Sequence, residues 1–481
     1  MELQFQNTPL DCLRRVVWEV KNDEQTQEIR LGDAMPDVGK VLASWGQVLM
    51  RSKDWRGSGM GVSGGVMAWV LYAPEDGTEP RSVEAWIPFQ IRWDFPQTQR
   101  DGAMILHCQL RGVDARSVSA RKLMVRACVS VAGEALEPVR MELYSPTQVP
   151  EDVCLLRKSY PVRIPAEAGE KTFTLEETLQ LTSDYPAPLR LIHYGFQTEL
   201  IDKKVMADKV VFRGSGLLHG LCRCGDGQLK SFDFEVPFSQ YSDLEREYDG
   251  YAGVNVVPAL TNLELDIQED GQLRMKAAMV GQYVVYSRPV LEVVEDAYSP
   301  NREVKLQTQQ MELPVVLDTG RQILTAEQDV DGPAREVLDT AFRVEHPVQR
   351  RAEDLLQMQI PGSFQVLYYD EEGNVQSASA AWEGSWDLPA DYETQVQGVC
   401  ILSGKPQASA GSTIHMRSDI AVDTMSTSAA GIPMVTALEL GELVPPPAQR
   451  PLPPLFLPSL SMFLNAKAKT EAFLKSTFST T

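Results

Sequence analysis

The sequence predicts a mainly β protein with three tandem β-sandwich or barrel-like modules, short helices and a Pro-rich C-terminal tail. Three observations support this fold class. One passage occurs three times, at intervals of about 150 residues. Each occurrence joins two extended apolar segments through an acidic turn that contains glycine. The chain has 481 residues, of which 43% are hydrophobic and 23% charged, a globular composition with room for about three domains.

The three copies of the passage span Val62–Phe89, Phe212–Phe238 and Ile360–Trp386. In each copy an apolar segment leads to PEDG, GDG or DEEG, and a second extended segment follows the turn. Two strands joined by an Asp-Gly or Glu-Gly turn are the sequence signature of a β-hairpin. The chain is therefore expected to form one such hairpin in each copy.

The return segment of the hairpin alternates in the way that a half-buried strand requires. FDFEVPF, residues 232–238, places apolar and polar side chains on opposite faces. The first copy keeps this phase through Phe89, and the third keeps it only as far as Trp382. Upstream of each hairpin a proline precedes a short apolar segment, in MPDVGKV, YPAPLRL and DGPAREV. That pattern predicts a brief helical turn followed by a strand.

The repeats set the expected domain boundaries. They predict a first module over residues 29–146, a second over 173–300 and a divergent third over 322–443. Residues 444–481 form a Pro-rich linker, PPPAQRPLPPLFLPSL, and a basic, weakly amphipathic tail. Phe463 and Phe473 in this tail are candidate contacts for a partner.

The stretch GSGLLHGLCRCGDG raises the question of a metal or thiol site. Aligning the copies places Cys222 opposite Leu71 and Leu367, and His219 opposite Ala68 and Phe364. Since the sister copies use hydrocarbon there, these residues are interpreted as packing residues of a strand, and Cys224 likewise. The five histidines are isolated in the sequence, and no nucleotide-binding or hydrolase motif occurs. We therefore assign no catalytic, cofactor-binding or metal-ligating residue.

The net charge of −21 argues against nucleic acid and anionic membrane surfaces as main partners. The N-terminus does not resemble a secretory signal, no segment is apolar enough to insert into a membrane, and the seven cysteines form no disulfide framework. We expect a cytoplasmic protein.

Four further residues are candidates for interaction. Arg126, Lys276 and Arg417 align on the strand that follows each hairpin, where a basic residue either binds a partner or discourages edge pairing. Trp86 falls on the polar phase of its return strand, so we predict an exposed aromatic side chain that contacts a protein partner or a glycan.

Several motifs resemble SPOCS-domain proteins of the SipL type from spore-forming bacteria. They are VLYAPEDG with SVEAWIPF, VEDAYSP followed by REVKLQTQQMEL, FTLEETLQL, and MVTALELGEL, and the resemblance covers most of Pro36 to Leu443. It implies a non-enzymatic spore-coat morphogenesis factor, made in the mother cell and recruited to the forespore surface with the coat ATPase SpoIVA. SipL-like proteins usually end in a LysM domain that carries the SpoIVA contact, and the tail of this chain shows no LysM-like pattern.

The function expected from the resemblance is that of a scaffold or adaptor in spore envelope assembly. Its partner would be a coat or other envelope protein, a SpoIVA-like partner being less expected without LysM, and self-association stays open. Two alternatives remain: a carbohydrate- or cell-wall-binding protein that uses exposed aromatic strand faces, and an enzyme whose site is assembled between modules.

Overall fold

The computed structural model of the chain describes residues 2–95, 102–183, 185–352, 355–389, 393–402 and 405–443. Within these ranges the chain forms twenty-two β-strands and no helix, which confirms the mainly β fold class. Every strand pairing there is antiparallel. Among these residues we find no helical segment with the length and hydrophobicity needed to cross a bilayer.

The short helical turns predicted before the hairpins are therefore wrong. In the first copy the amide of Met35 donates to the carbonyl of Gly32, which closes a turn, and in the second Tyr185 donates to Thr182. The apolar residues that follow each proline enter a strand at once, because their backbone groups pair with the neighbouring strand of the hairpin.

The first module contains six strands: β1 (Phe5–Arg30), β2 (Val38–Arg56), β3 (Gly59–Pro74), β4 (Arg81–Asp94), β5 (Ala103–Ser119) and β6 (Lys122–Pro146). The hairpin lies in a sheet of order β2-β3-β4, and a second sheet has the order β1-β6-β5. Since β1 pairs with β6 from Phe5 onward, the strands of this module begin before the boundary predicted at residue 29.

The second module contains eight strands: β7 (Cys154–Pro161), β8 (Ile164–Leu179), β9 (Pro188–Met206), β10 (Lys209–Cys224), β11 (Leu229–Asp243), β12 (Gly253–Ile267), β13 (Leu273–Ser287) and β14 (Val290–Tyr298). Its sheets have the orders β11-β10-β9 and β12-β13-β8 and thus repeat the first module. The long ribbon that β1 and β6 form is here divided in two, because β7 and β14 pair separately.

The third module contains the remaining strands: β15 (Val304–Asp331), β16 (Glu336–Val344), β17 (Val348–Ala352), β18 (Leu355–Tyr369), β19 (Val375–Pro389), β20 (Glu393–Ile401), β21 (Gln407–Ser409) and β22 (Thr413–Leu440). One sheet has the order β15-β22-β20, the counterpart of β1-β6-β5, with β21 added to β22. In the other sheet β18 pairs with β16, β17 and β19. The same strand order thus occurs three times.

The alternation read from the return segments agrees with the burial of β4 and β11. Ile87 and Phe89 are buried, and so are Phe232, Val236 and Phe238. The residues between them in β11 are exposed or half-buried. Each module thus has its own apolar core between its two sheets.

The three modules pack in a closed cycle. β4 contacts β9 of the second module, β11 contacts β16 of the third, and β19 contacts β2 of the first. Every module presents the same strands to its neighbours, so the three repeats are arranged like the subunits of a cyclic trimer. A hydrogen bond between a side chain and the main chain crosses each junction. Arg190 donates to the Ser82 carbonyl (3.2 Å), the Leu229 amide donates to Tyr369 Oη (3.3 Å), and Ser377 Oγ donates to the Leu42 carbonyl.

An apolar cluster lies where the three modules meet, and we call the line through it the axis. Each module contributes an equivalent pair of buried side chains to this cluster: Leu42 and Leu71, Ile192 and Leu221, Leu338 and Leu367. Leu71 and Leu221 are fully buried. Since burial of one such side chain contributes about 1.5–3 kcal/mol, the cluster stabilises the cycle as well as the modules.

Candidate functional site

A β-bulge recurs at the axis in the first hairpin strand of each module. The register shifts at Leu42 in β2, at Ile192 in β9 and at Leu338 in β16, and these bulged residues enter the shared apolar cluster. The residue after each bulge pairs with an axial leucine: Ala43 with Leu71, His193 with Leu221, and Asp339 with Leu367. Because bulges re-aim side chains, an alanine, a histidine and an aspartate occupy equivalent axial positions.

Four side chains from all three modules form what we call the axial site: Trp45, His193, His219 and Asp339. The Asp339 carboxylate accepts three hydrogen bonds. Trp45 Nε1 and His193 Nε2 each lie 2.9 Å from Oδ2, and His219 Nε2 lies 2.5 Å from Oδ1. The indole of Trp45 also stacks on the imidazole of His193, with ring centroids 4.1 Å apart. The site thus joins β2, β9, β10 and β16.

The axial site is buried and charged. Asp339 and His193 are each 4% exposed. Burial disfavours the imidazolium of His219, yet the carboxylates of Asp339 and Asp233 outweigh that effect and raise its pKa to about 9. Burial opposes ionisation of Asp339 too, but His193 and His219 hold the pKa of this carboxyl well below its usual range. An ionised Asp339 therefore faces a protonated His219.

The charge alternation continues outward from His219. Its Nδ1 lies 2.8 Å from Oδ1 of Asp233 on β11, whose other oxygen accepts a hydrogen bond from Lys405 of the third module. Lys405, Asp233, His219 and Asp339 thus form a chain of opposite charges that crosses twice between the second and third modules. Paired partners offset the desolvation cost that an isolated buried charge carries.

A cavity of about 330 Å³ adjoins the axial site. It is lined by β2 and β5 of the first module, β9 and β12 of the second, and β16 and β20 of the third, and His193 and His219 line it as well. Two of its buried amide side chains have an atom without a hydrogen-bond partner, namely Gln109 Oε1 and Gln397 Nε2. A buried amide atom normally has a partner, so the cavity is suited to polar contents.

A second pair of histidines lies between the first and third modules. His107 Nδ1 is 3.2 Å from His346 Nε2, and His346 Nδ1 is 2.8 Å from Ser130 Oγ. Burial lowers the pKa of His107 to about 4 and that of His346 well below the ordinary value. Both imidazoles are accordingly neutral near pH 7.

Cys222 and Cys224 pack in the core of the second module, as predicted. Both are fully buried on β10, and their sulfur atoms lie 3.7 Å apart. Burial is the main cause that raises the pKa of the Cys224 thiol, to about 12. A thiol with such a pKa is neither a ready nucleophile nor a ready metal ligand.

The prediction that His219 is a packing residue is wrong, and the alignment behind it is one residue out of register. The turn glycines Gly77, Gly227 and Gly373 all have positive φ, of 71°, 84° and 84°. Counting back from them places His219 opposite Trp69 and Gln365, on the axial face of its strand. The turn glycine sets the register because positive φ fixes where the chain reverses.

The four candidate interaction residues on the strands differ in how far their side chains are exposed to solvent. Trp86 is half-buried against the core of the second module, and the guanidinium of Arg51 lies 5.0 Å from its ring centroid. It is therefore a contact between modules, not an exposed platform, because β4 packs on β9. Arg126, Lys276 and Arg417 are exposed at matching places on β6, β13 and β22.

Acidic residues lie beside this basic position in each module. Arg126 pairs with Asp114 (2.6 Å), Arg417 pairs with Glu327 (3.2 Å), and Glu176 and Glu264 oppose Lys276 across the strands. This arrangement favours cross-strand charge pairing over a basic interaction stripe. The remaining candidates, Phe463 and Phe473, lie outside the residues that the structure describes.

The sequence analysis missed His193, His219 and Asp339 as a group. Each is isolated in the chain, and Asp339 belongs to a different module from the two histidines. The recurring bulge and the turn glycines are the signal that relates their positions. Comparisons with protein-family models, with curated proteins and with solved structures found no match.

Proposed function

We propose that the chain is a non-enzymatic scaffold or adaptor in spore envelope assembly, in the mother cell at the forespore surface. The envelope setting rests on the resemblance of its motifs to SPOCS-domain proteins. The closed cycle of modules supports a scaffold role, because buried contacts at the axis hold three outward surfaces in one arrangement. A partner that contacts two modules would meet a preformed surface.

The observation that carries the proposal is an exposed apolar surface on the second module. Met206 and Tyr241 are 52% and 54% exposed, and they line a groove together with Val211 and four polar residues. The ammonium groups of Lys171 and Lys209 lie 5.6 Å and 5.5 Å from the centroid of the Tyr241 ring. Exposed tyrosine and methionine side chains beside a groove are frequent anchors of protein interfaces.

A pull-down from sporulating cells tests the proposal with the full chain and three variants. The double variant Met206→Ala with Tyr241→Ala removes the exposed groove side chains, and a chain ending at residue 443 removes the tail. Tyr251→Ala is the matched control, since Tyr251 is 74% exposed on the same module and lies outside the groove. The proposal predicts recovery of an envelope protein by the full chain and the control.

Loss of that protein with the groove variant assigns the contact to the second module, and loss with the shortened chain assigns it to the tail. Recovery of no envelope protein by the full chain contradicts the scaffold proposal.

A second candidate is the binding of a small neutral polar molecule, such as a sugar, in the cavity. The unpartnered Gln109 Oε1 and Gln397 Nε2 favour it, since together they offer one acceptor and one donor. An enzyme site assembled between modules would lie in the same place. Monosaccharides at millimolar concentration should raise the melting temperature of the chain and leave that of Gln397→Leu unchanged. The absence of any rise contradicts this candidate.

A further inference from the structure

Three groups at the axial site have the chemistry of metal ligands. One ligand atom from each of His193, His219 and Asp339 lies within 4.8 Å of the other two. Two imidazoles and a carboxylate suit Zn²⁺ and the other late first-row divalent ions. We propose that these three side chains bind a divalent transition-metal ion of the Zn²⁺ class, which links the second module to the third.

The positions of the two histidines are set by the fold of the second module. His193 on β9 and His219 on β10 belong to paired strands, and their ring centroids are 5.8 Å apart. Asp339 reaches them from β16 of the third module, with one carboxylate oxygen near each imidazole. Binding of the ion replaces the Nε2 protons that His193 and His219 donate to Asp339 in the metal-free chain. Because Zn–N and Zn–O bonds are about 2.0–2.2 Å long, the carboxylate withdraws slightly from both rings to admit the ion.

The groups around the three ligands match those found around metal sites. Asp233 accepts a hydrogen bond from Nδ1 of His219 and so fixes the ring with Nε2 toward Asp339. Carboxylates orient metal-binding histidines in this way in many proteins. Trp45 Nε1 holds Oδ2 of Asp339. Both histidines line the cavity, which offers a place for a water molecule as a fourth ligand.

The fold itself does not need polar groups at this position. The equivalent residue in the first module is Ala43, a buried methyl group in the shared apolar cluster. Burial of ionised side chains is costly, and well-packed apolar residues often stabilise a protein as much as a buried ion pair does. An imidazole and a carboxylate at the positions where the first module carries only a methyl group therefore support a ligand here.

Isothermal titration of the full chain with ZnCl₂, after removal of metals by chelation, tests the proposal. The expected result is one Zn²⁺ per chain with a Kd below about 10 µM. Co²⁺ should form a complex with the visible absorption typical of a four- or five-coordinate ion. His193→Ala and His219→Ala should each remove this binding. Asp233→Asn should weaken it by about 10- to 100-fold.

Two further variants separate ligand loss from misfolding. His415→Ala is the matched control, because His415 forms a similar 2.8 Å contact with Asp329 on the exposed surface, and it should bind Zn²⁺ normally. His193→Cys should retain binding, since thiolate is a zinc ligand, and its Co²⁺ complex should gain a sulfur-to-metal charge-transfer band. That band is a readout that a purely structural role cannot produce.

Absence of stoichiometric Zn²⁺ binding by the unmodified chain would overturn the proposal. So would unchanged affinity in both His193→Ala and His219→Ala, which would place the bound ion elsewhere. The axial site would then be a hydrogen-bonded contact between modules only.

Discussion

Replacing Asp339 by asparagine is the sharpest test of the axial site as a stabilising contact. Asp339 accepts hydrogen bonds from Trp45, His193 and His219, and it is 4% exposed. Asparagine has nearly the same shape but keeps one acceptor oxygen and replaces the other with a donor. At least one of the three donors therefore loses its acceptor, and His219 loses a charged partner.

The magnitude follows from the charge that remains buried. Removal of one partner of a buried ion pair costs about 3–5 kcal/mol, since the other charge stays desolvated. Asp233 remains as a partner of His219 and moderates this loss. Each hydrogen bond from a neutral donor makes a net contribution of about 1 kcal/mol to stability. We therefore expect Asp339→Asn to lower the free energy of unfolding by about 4 kcal/mol.

Guanidinium unfolding followed by tryptophan fluorescence measures this loss, and Trp45 at the site is one of the chain's eight tryptophans. A chelator in the buffer removes any contribution from metal. Asp329→Asn at the exposed pair with His415 is the control and should leave the midpoint nearly unchanged. A loss below about 1 kcal/mol for Asp339→Asn would refute the idea that Asp339 is a strong ionic contact between modules.

Three further predictions concern the histidine pair, the packing of Trp86 and the shared apolar cluster. Folding keeps His107 neutral by lowering its pKa from 6.5 to about 4, so its contribution to stability is complete above pH 6.5 and is lost as the pH falls toward 4. Unfolding free energies measured across that range should fall by about 2–3 kcal/mol more in the unmodified chain than in His107→Gln, and parallel curves would argue against this assignment. Gly65→Ala should cost about 1–3 kcal/mol in denaturant unfolding, because the new Cβ would lie 2.3 Å from Trp86 Cζ2, whereas Gly112→Ala, with open space around it, should be tolerated. Equal effects of these two substitutions would show that the packing of the Trp86 ring does not depend on the missing side chain at Gly65. Leu221→Ala at the shared apolar cluster should cost about 2–5 kcal/mol, and Leu189→Ala, 64% exposed, should change little. A small loss at Leu221 would mean that the cluster does not hold the cycle together.

The hairpins were predictable from the sequence because their signals are local. Alternation in FDFEVPF and the acidic turn before it specify β10 and β11 without reference to the rest of the chain. The proline pattern was misread as helical, since a turn such as Gly32–Met35 and a helix start share the same residue preferences. In this protein the segment after the proline becomes a strand because its backbone pairs with a strand of the hairpin.

The candidate site depends on packing between copies, which no local pattern contains. His193 and Asp339 meet because equivalent bulges face one axis, and a bulge inserts a residue that sequence alternation does not reveal. Trp86 illustrates the same limit: its phase on β4 is outward from its own module, but the second module covers that face. The repeat predicts the modules, whereas their mutual contacts decide which outward residues are exposed.

Differential scanning calorimetry of the chain with a chelator present tests the closed cycle most directly. If buried contacts at the axis join the modules, they unfold together, and the calorimetric enthalpy equals the van't Hoff enthalpy. Leu221→Ala should then lower the temperature of that single transition. Several resolved transitions in the unmodified chain, with a calorimetric enthalpy well above the van't Hoff value, would contradict the account, because the three modules would then be independent domains.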